Sequence, residues 1–238
     1  MVARWIKRTL AADPPRAKSL IVTVWGDALA PHGGAVWLAG LIRLMAPLGV
    51  NERSVRTSVF RLARDGWLAG TAIGRVSRYA LTREGARRFD DAHQRIYSRP
   101  PEDWSGTWDL VLADRVIPAL RPGLRDELRW AGFGEIGATT FVRPRIADQT
   151  APSILAARGI AERAITTQTV DVAGSGALID ATGEAWNLQS LAADYRHFLK
   201  HFGTVIDHFR VDDEHDPAQC FVVRTLLIHE YRRVLLRD

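Results

Sequence analysis

The sequence contains a single cysteine, Cys220, in 238 residues. One thiol makes no intrachain disulfide and no cysteine zinc cage, so neither staple holds this fold. Cys220 is expected to be a small buried apolar residue. Long apolar runs are missing too. No stretch reaches the 18 or more residues that a membrane span needs. The opening MVARWIKRTLAADPP carries basic residues but no apolar core or small-residue cleavage site, so no signal peptide is read and the protein is expected in the cytoplasm, with no membrane partner. Low-complexity segments and internal repeats are absent. What remains is a globular composition, 47% hydrophobic and 25% charged, long enough for two or three domains.

Acidic residues are scarce in one part of the chain. Residues 1–98 hold 16 Lys and Arg against 7 Asp and Glu, a net of +9, and residues 99–238 hold 16 against 20, a net of −4, which together give the +5 of the whole chain. A basic module joined to a mildly acidic body is the footprint of a protein that binds a polyanion with one part only.

In the basic module, Lys18–Leu29 places Leu20, Ile21, Val24, Trp25 and Ala28 at helical spacing, and Pro31-His32-Gly33-Gly34 breaks the helix. A second apolar helix is expected over Ala35–Leu48, ending at Gly49. Asn51 suits the N-cap of a third helix, with Glu52 in its first turn and Val50 and Val55 spaced as a hydrophobic staple. That helix runs to about Asp65 and stops at Gly66. Residues 67–81 read as a hairpin with a basic tip at Gly74-Arg75, and Thr82 caps a fourth helix over Arg83–Tyr97. Ser98–Asp103 is a Pro-containing linker.

Helix, helix, tight turn, helix, hairpin is a winged helix-turn-helix, in which the helix after the glycine turn enters the DNA major groove and the wing touches the flanking backbone. Val55, Val59 and Leu62 form an apolar stripe with Phe60 at its edge, expected to pack on the first two helices. Arg53, Thr57, Arg61 and Arg64 lie near the opposite face. Arginine bonds guanine O6 and N7 in a bidentate manner, and threonine offers a hydroxyl and a methyl. Arg53, Ser54, Arg56 and Thr57, in the first turns, are therefore the base-reading candidates. Arg61, Arg64, Arg75 and Arg78 are the phosphate-contact candidates. The competing reading is an ordinary amphipathic helix with a solvated arginine face. The capped start, the glycine turn and the basic wing weigh against it.

The body opens with a buried strand, Trp108–Asp114. A helix around Pro122–Ala131, a strand over Ile136–Arg143, a short helix over Ala151–Ala157 and a strand over Ala164–Val172 follow. This β-α-β…α-β order suggests a small ferredoxin-like sandwich. From Trp186 the chain reads as helical, over Leu188–Phe209 and Ala218–Arg237, around an acidic loop at Asp212–Pro217. The expected domains are 1–98, 99–182 and 183–238, and the fold class is multidomain α+β.

Five blocks of sequence also resemble a known family: SLIVTVWGD at Ser19–Asp27, PHGGAVWL at Pro31–Leu38, GVNERSVRTSVFRLARDGWL at Gly49–Leu68, ELRWAGFG at Glu127–Gly134 and RTLLIHEYRRVLLRD at Arg224–Asp238. They look like the PaaX family, repressors of phenylacetate catabolism operons. Relatives usually continue past this Leu-Leu-Arg-Asp through a tail containing Pro and Trp. The resemblance implies a winged-helix N-terminus, a Cas2-like ferredoxin fold in the middle and a helical C-terminal region. It also implies a homodimer on double-stranded operator DNA, released by an aryl-acyl-CoA such as phenylacetyl-CoA. A CoA ester needs guanidinium groups for its phosphates and an apolar slot for its acyl group. Arg129, Trp130, Arg196, Arg224, His229, Arg232 and Arg233 are the candidates; their alternative role is packing through internal salt bridges.

Weaker patterns are read as structural. His197 and His201 are four apart, near Asp194 and His208, a spacing that can hold a metal, but no HExxH motif is formed. An Asp at the end of the first Cas2-like strand binds metal in Cas2 nucleases, which brings in Asp109 and Asp114. The acidic balance of the body counts against a metal-dependent nuclease. Gly174-Ser175-Gly176 matches neither a nucleophile elbow nor a phosphate loop and reads as a turn. No catalytic or metal residues are assigned, and the protein is not expected to be an enzyme. An effector-independent DNA-binding protein is the third reading.

Overall fold

The computed structural model describes residues 1–97, 106–145, 150–169, 176–211 and 215–235. The chain divides into two compact units, residues 1–98 with 197–233, and residues 99–196 with 234–238. The expected linker at Ser98–Asp103, Gly174 and Ser175 of the expected turn, and residues 212–214 of the acidic loop lie outside the described residues, whereas Gly176, expected in that turn, is the first residue of a helix.

The chain opens with α1 (Val2–Ala12), where the sequence reading assigns no element; Val2 and Trp5 are its buried side chains. Helix α2 (Ala17–Val24) continues into a π-helical turn at Trp25–Leu29, and a short 3₁₀ turn ends at the glycine pair. The helix expected over Ala35–Leu48 is shorter. Its first three residues form strand β1 (Ala35–Trp37), and helix α3 covers only Leu38–Met45. The β-branched Val36 and aromatic Trp37 suit a pleated surface, and β1 has a partner, with Val36 opposite Tyr79 and Trp37 opposite Arg78. A 3₁₀ turn at Ala46–Leu48 then ends at Gly49, whose φ of 78° is the left-handed conformation glycine adopts without strain.

Helix α4 (Glu52–Arg64) starts where expected: the Ser54 backbone N–H donates to Asn51 Oδ1 at 2.9 Å. Strands β2 (Leu68–Ile73) and β3 (Val76–Leu81) form the hairpin, and the sheet order is β1-β3-β2. Helix α5 (Arg83–Tyr97) is capped by Thr82, whose Oγ1 accepts from the Gly85 N–H at 2.9 Å. Gly85 permits the close approach there, since a Cβ would lie 2.2 Å from the Trp67 carbonyl oxygen.

The second unit begins with β4 (Trp108–Leu112), followed by α6 (Arg121–Trp130), β5 (Gly134–Gly137), β6 (Thr140–Pro144), α7 (Thr150–Ala157) and β7 (Ile165–Gln168). The single strand expected over Ile136–Arg143 is thus a hairpin with a bulge at Glu135–Gly137. Its turn is held by Thr139, whose hydroxyl donates to the Asp114 carboxylate. The sheet order is β5-β6-β4-β7, fully antiparallel. A β-α-β-β-α-β chain in that order is the ferredoxin-like arrangement. Its core is Val111, Leu124, Leu128, Phe133, Phe141 and Leu155.

Helices α8 (Gly176–Ala185), α9 (Leu188–Val211) and α10 (Pro217–Leu235) complete the chain. In the first unit, α10 and residues 197–211 of α9 share the core of the winged helix-turn-helix. Trp5 donates through Nε1 to the His201 carbonyl oxygen at 3.2 Å and lies 5.3 Å from the Phe202 ring. Leu20, Ile21 and Val24 of α2 belong to the same cluster as Val222, Val223 and Leu226 of α10. Cys220 is half-buried.

Candidate nucleic-acid interface

Helix α4 divides cleanly into two faces. Val55, Ser58, Val59 and Leu62 are buried, whereas Arg53, Arg56, Thr57, Phe60, Arg61 and Arg64 are exposed and Ser54 is half-buried. At about 100° per residue, Arg53, Thr57, Phe60 and Arg64 project within about 60° of one another. The helix therefore brings Arg53, Thr57 and Arg64 onto one face, with Arg56 on one flank and Ser54 and Arg61 on the other. Phe60 differs from expectation. It is 67% exposed, and it lies in the middle of the arginine face rather than at the margin of the packed stripe.

The cations of this surface fall into two groups. Arg56 is held by Glu52 one turn earlier, with Nε–Oε1 at 2.8 Å and Nη2–Oε1 at 2.6 Å. This is the favourable Glu-before-cation order at i,i+4. Arg64 lies 3.6 Å from Asp65, whose carboxylate also takes Lys18 at 2.6 Å. The hydrogen bond from Lys18 is the main reason the Asp65 carboxyl sits below its ordinary range. Arg53, Arg61, Arg75 and Arg78 make no ion pair among the described residues.

The wing presents two of those free cations. Gly74, with φ 61°, fills the first central position of a two-residue hairpin turn, the place a type II′ turn reserves for glycine. Arg75 is the second, exposed at the tip, and exposed Arg78 on β3 pairs across to Thr71. Behind the wing, Arg87 and Arg88 close on Glu84 and hold its carboxyl down at about 2. Those two guanidiniums are thus already matched within α5.

The effector candidates are dispersed. In the second unit, Arg129 pairs with Glu135 at 3.2 Å and Arg196 donates to the Ala192 carbonyl; the side chain of Trp130 lies outside the described residues. In the first unit, four candidates line α10. Arg224 grips Asp27 of the π-turn, and Arg233 pairs with Glu230 and with Asp13. His229 is buried against Thr23 at 2.9 Å, and burial lowers its imidazole to about 4. Arg232 reaches Ser19 Oγ at 3.3 Å through one Nη. Its Nε is buried and has no hydrogen-bond partner among the described residues.

The Asp pair of the Cas2-like domain is occupied by protein groups. Asp109 faces Arg143, which is itself 4% exposed, donates to the Ala131 carbonyl at 3.1 Å and stacks 4.6 Å over Phe133. Asp114 accepts from Thr139. His201 bonds Thr9 at 3.3 Å, and its ring lies parallel to His197 at 6.0 Å. Among the described residues no group of three or more His, Cys, Asp or Glu could hold a metal ion, and no helix is long and apolar enough to cross a membrane.

Three family models match the chain: a PaaX-like protein model over residues 16–85, the PaaX protein central Cas2-like domain over 101–177 and the PaaX-like protein C-terminal domain over 186–238. The Transcriptional repressor PaaX of Escherichia coli (strain K12) is 33% identical over 237 residues, covering 98% of this chain and 75% of that protein. A solved structure of an uncharacterised protein from Mycobacterium tuberculosis shares the fold, with a TM-score of 0.54 at 23% identity, over 93% of this chain and 83% of that one.

Proposed function

Because the chain belongs to the PaaX-like family, we propose that it is a transcriptional repressor of a phenylacetate (aromatic acid) catabolism operon. It binds double-stranded operator DNA through α4 and the β2–β3 wing. The carrying observation is the outward face of α4, a capped helix behind the left-handed Gly49 that presents Arg53, Arg56, Thr57, Arg61 and Arg64 from the segment of +9 net charge. Arg53, Ser54, Arg56 and Thr57 read base edges; Arg61, Arg64, Arg75 and Arg78 hold phosphates. One reading helix covers few base pairs, so the protein acts as a homodimer on a two-fold operator, in the cytoplasm.

An aryl-acyl-CoA such as phenylacetyl-CoA releases the DNA and is not turned over. Arg129, Trp130, Arg196, Arg224, His229, Arg232 and Arg233 are the effector-contact candidates. Arg232 has the best physical support, since a phosphate oxygen offers a partner to its buried Nε, which has none among the described residues. Coupling between the two ligands is reciprocal, so operator DNA weakens the acyl-CoA by the factor by which the acyl-CoA weakens DNA.

The test has two arms. A duplex selected from a random pool is bound and followed by fluorescence anisotropy, and the complex is titrated with phenylacetyl-CoA, other thioesters and free phenylacetate. Selection of a two-fold site, and its release by a thioester but not by phenylacetate, supports the reading. Failure to enrich any sequence rejects the DNA-reading half. Enrichment without release by any thioester rejects the effector half and leaves a constitutive DNA-binding protein.

A further inference from the structure

Phe60 is the one large apolar side chain on the outward face of α4, and that face has no apolar neighbour to receive it. It is 67% exposed, while Val55, Val59 and Leu62 on the opposite side of the helix are at most 2% exposed. Counting at about 100° per residue, its direction lies about 20° from that of Arg53 and about 40° from those of Arg56 and Arg64. It therefore stands between the side chains assigned to bases and those assigned to phosphates, in the third turn of the helix. A solitary exposed aromatic elsewhere on the surface needs no explanation. Here a ring of this size displaces a polar contact from the middle of a cationic surface otherwise built for hydrogen bonding.

The major groove presents one apolar feature to such a ring. Guanine, cytosine and adenine offer donors and acceptors along their edges, and thymine adds its C5-methyl group. Phenylalanine has no donor or acceptor, so it gains nothing from the polar edges and gains from covering the methyl.

On the reading that α4 lies in the major groove, we propose that Phe60 packs on the 5-methyl of a thymine in each operator half-site and is a specificity-determining residue. The arginines discriminate guanine by hydrogen bonds, and Phe60 discriminates thymine by apolar contact. The two signals are chemically separable: the methyl is removed without touching any hydrogen bond by replacing thymine with deoxyuridine.

The experiment uses the full chain. Wild type and Phe60→Ala each select binding sites from one random duplex pool. Every thymine of the wild-type site is then replaced singly by deoxyuridine, and affinities are measured by anisotropy. Wild type is expected to lose about fourfold at one thymine per half-site, the worth of roughly one buried methyl-sized group. Phe60→Ala is expected to weaken on the thymine site by a similar factor, to be indifferent to deoxyuridine there, and to select sites lacking that thymine while keeping their guanines. Its melting temperature should stay within a degree or two of wild type, because the ring is outside the core; Phe60→Leu should retain part of the preference. If no thymine is methyl-sensitive in wild type, or if the deoxyuridine and Phe60→Ala losses multiply, Phe60 touches no methyl and the proposal is overturned. If neither protein enriches any sequence, the reading of α4 as a DNA reader fails instead, and this inference falls with it.

Discussion

Arg224 closes on Asp27 with both oxygens engaged, Nη2 to Oδ1 at 2.8 Å and Nε to Oδ2 at 2.9 Å, across 197 residues of sequence. Tyr97 adds its hydroxyl to Oδ1 at 2.5 Å. The Asp27 side chain is only 5% exposed, so these donors replace its hydration. Burial, reinforced by the carboxylate, raises the Tyr97 phenol, which stays a donor at all ordinary pH. The cluster ties the π-turn after α2, the last turn of α5 and α10 into one body. Arg224→Ala leaves a buried carboxylate with one donor among the described residues and should cost about 1–3 kcal/mol in thermal or urea unfolding, moderated by the exposure of Arg224 itself. Tyr97→Phe should cost about 1 kcal/mol. A double variant that loses the full sum of the two would show that the three groups do not act together.

His229 gives a pH dependence with a definite sign. It is 2% exposed, and burial, assisted by Arg232 and Arg233, lowers it from 6.5 to about 4; Asp13 opposes this weakly. The buried ring keeps Nδ1 within 2.9 Å of the Thr23 hydroxyl, which also lies 3.2 Å from the Ser19 carbonyl oxygen. Between about pH 6.5 and 4 the unfolded chain binds a proton that the native state refuses, so stability is intact above 6.5 and declines as pH falls through this window. The loss approaches about 3 kcal/mol at most. His201, also lowered chiefly by burial, adds in the same direction. In His229→Gln the slope of unfolding free energy between pH 6.5 and 4 should flatten. An unchanged slope would assign the effect to other groups.

The local features were legible and the non-local ones were not. Asn51, Gly49, Gly66 and Thr82 mark their caps and turns by residue type alone, because the chemistry of a helix end lies within three residues of it. The reading candidates on α4 follow from helical periodicity. Strand β1 escaped because three residues carry no period, and only the pairing with β3 makes them a strand. Helix α1 had a usable signal in Val2, Trp5, Ile6 and Leu10, all packed into the core. The Asp27–Tyr97–Arg224 and Asp109–Arg143 clusters join residues far apart in sequence, which no local pattern encodes. Phe60 lies outside the buried stripe, which is confined to Val55, Ser58, Val59 and Leu62. The angular count alone sets it among the arginines.

Arg143 and Asp109 test whether the Cas2-like domain retains a metal site or only a structural pair. Arg143 is buried, and its guanidinium lies 3.4 Å from Asp109. Removing one partner strands the other, so Arg143→Ala should cost about 3–5 kcal/mol. Replacing both by apolar residues of similar volume, Arg143→Met with Asp109→Leu, should cost much less than either single change. The structural account would be wrong if Asp109→Asn left stability intact while abolishing a Mg²⁺- or Mn²⁺-dependent cleavage of DNA by the wild-type chain.

The contrast between Arg56 and Arg75 separates reading from holding. Arg56 is one turn into α4 and oriented by Glu52 at 2.6 Å, whereas Arg75 stands at the tip of the wing. A bidentate contact to guanine is worth about 1–3 kcal/mol of discrimination, and a phosphate contact carries none. Arg56→Ala should therefore lose about 1–3 kcal/mol on the selected site and little on random duplex. Arg75→Ala should weaken both alike and reduce the slope of log K against log salt by about one phosphate's worth. Glu52→Gln removes the carboxylate that orients Arg56 and one negative charge from a surface facing DNA. It should raise affinity for random duplex while narrowing the gap between selected and random sites. Competition titrations at three salt concentrations measure all three effects. An Arg56→Ala protein that kept its operator affinity and its sequence preference would remove α4 from the reading role.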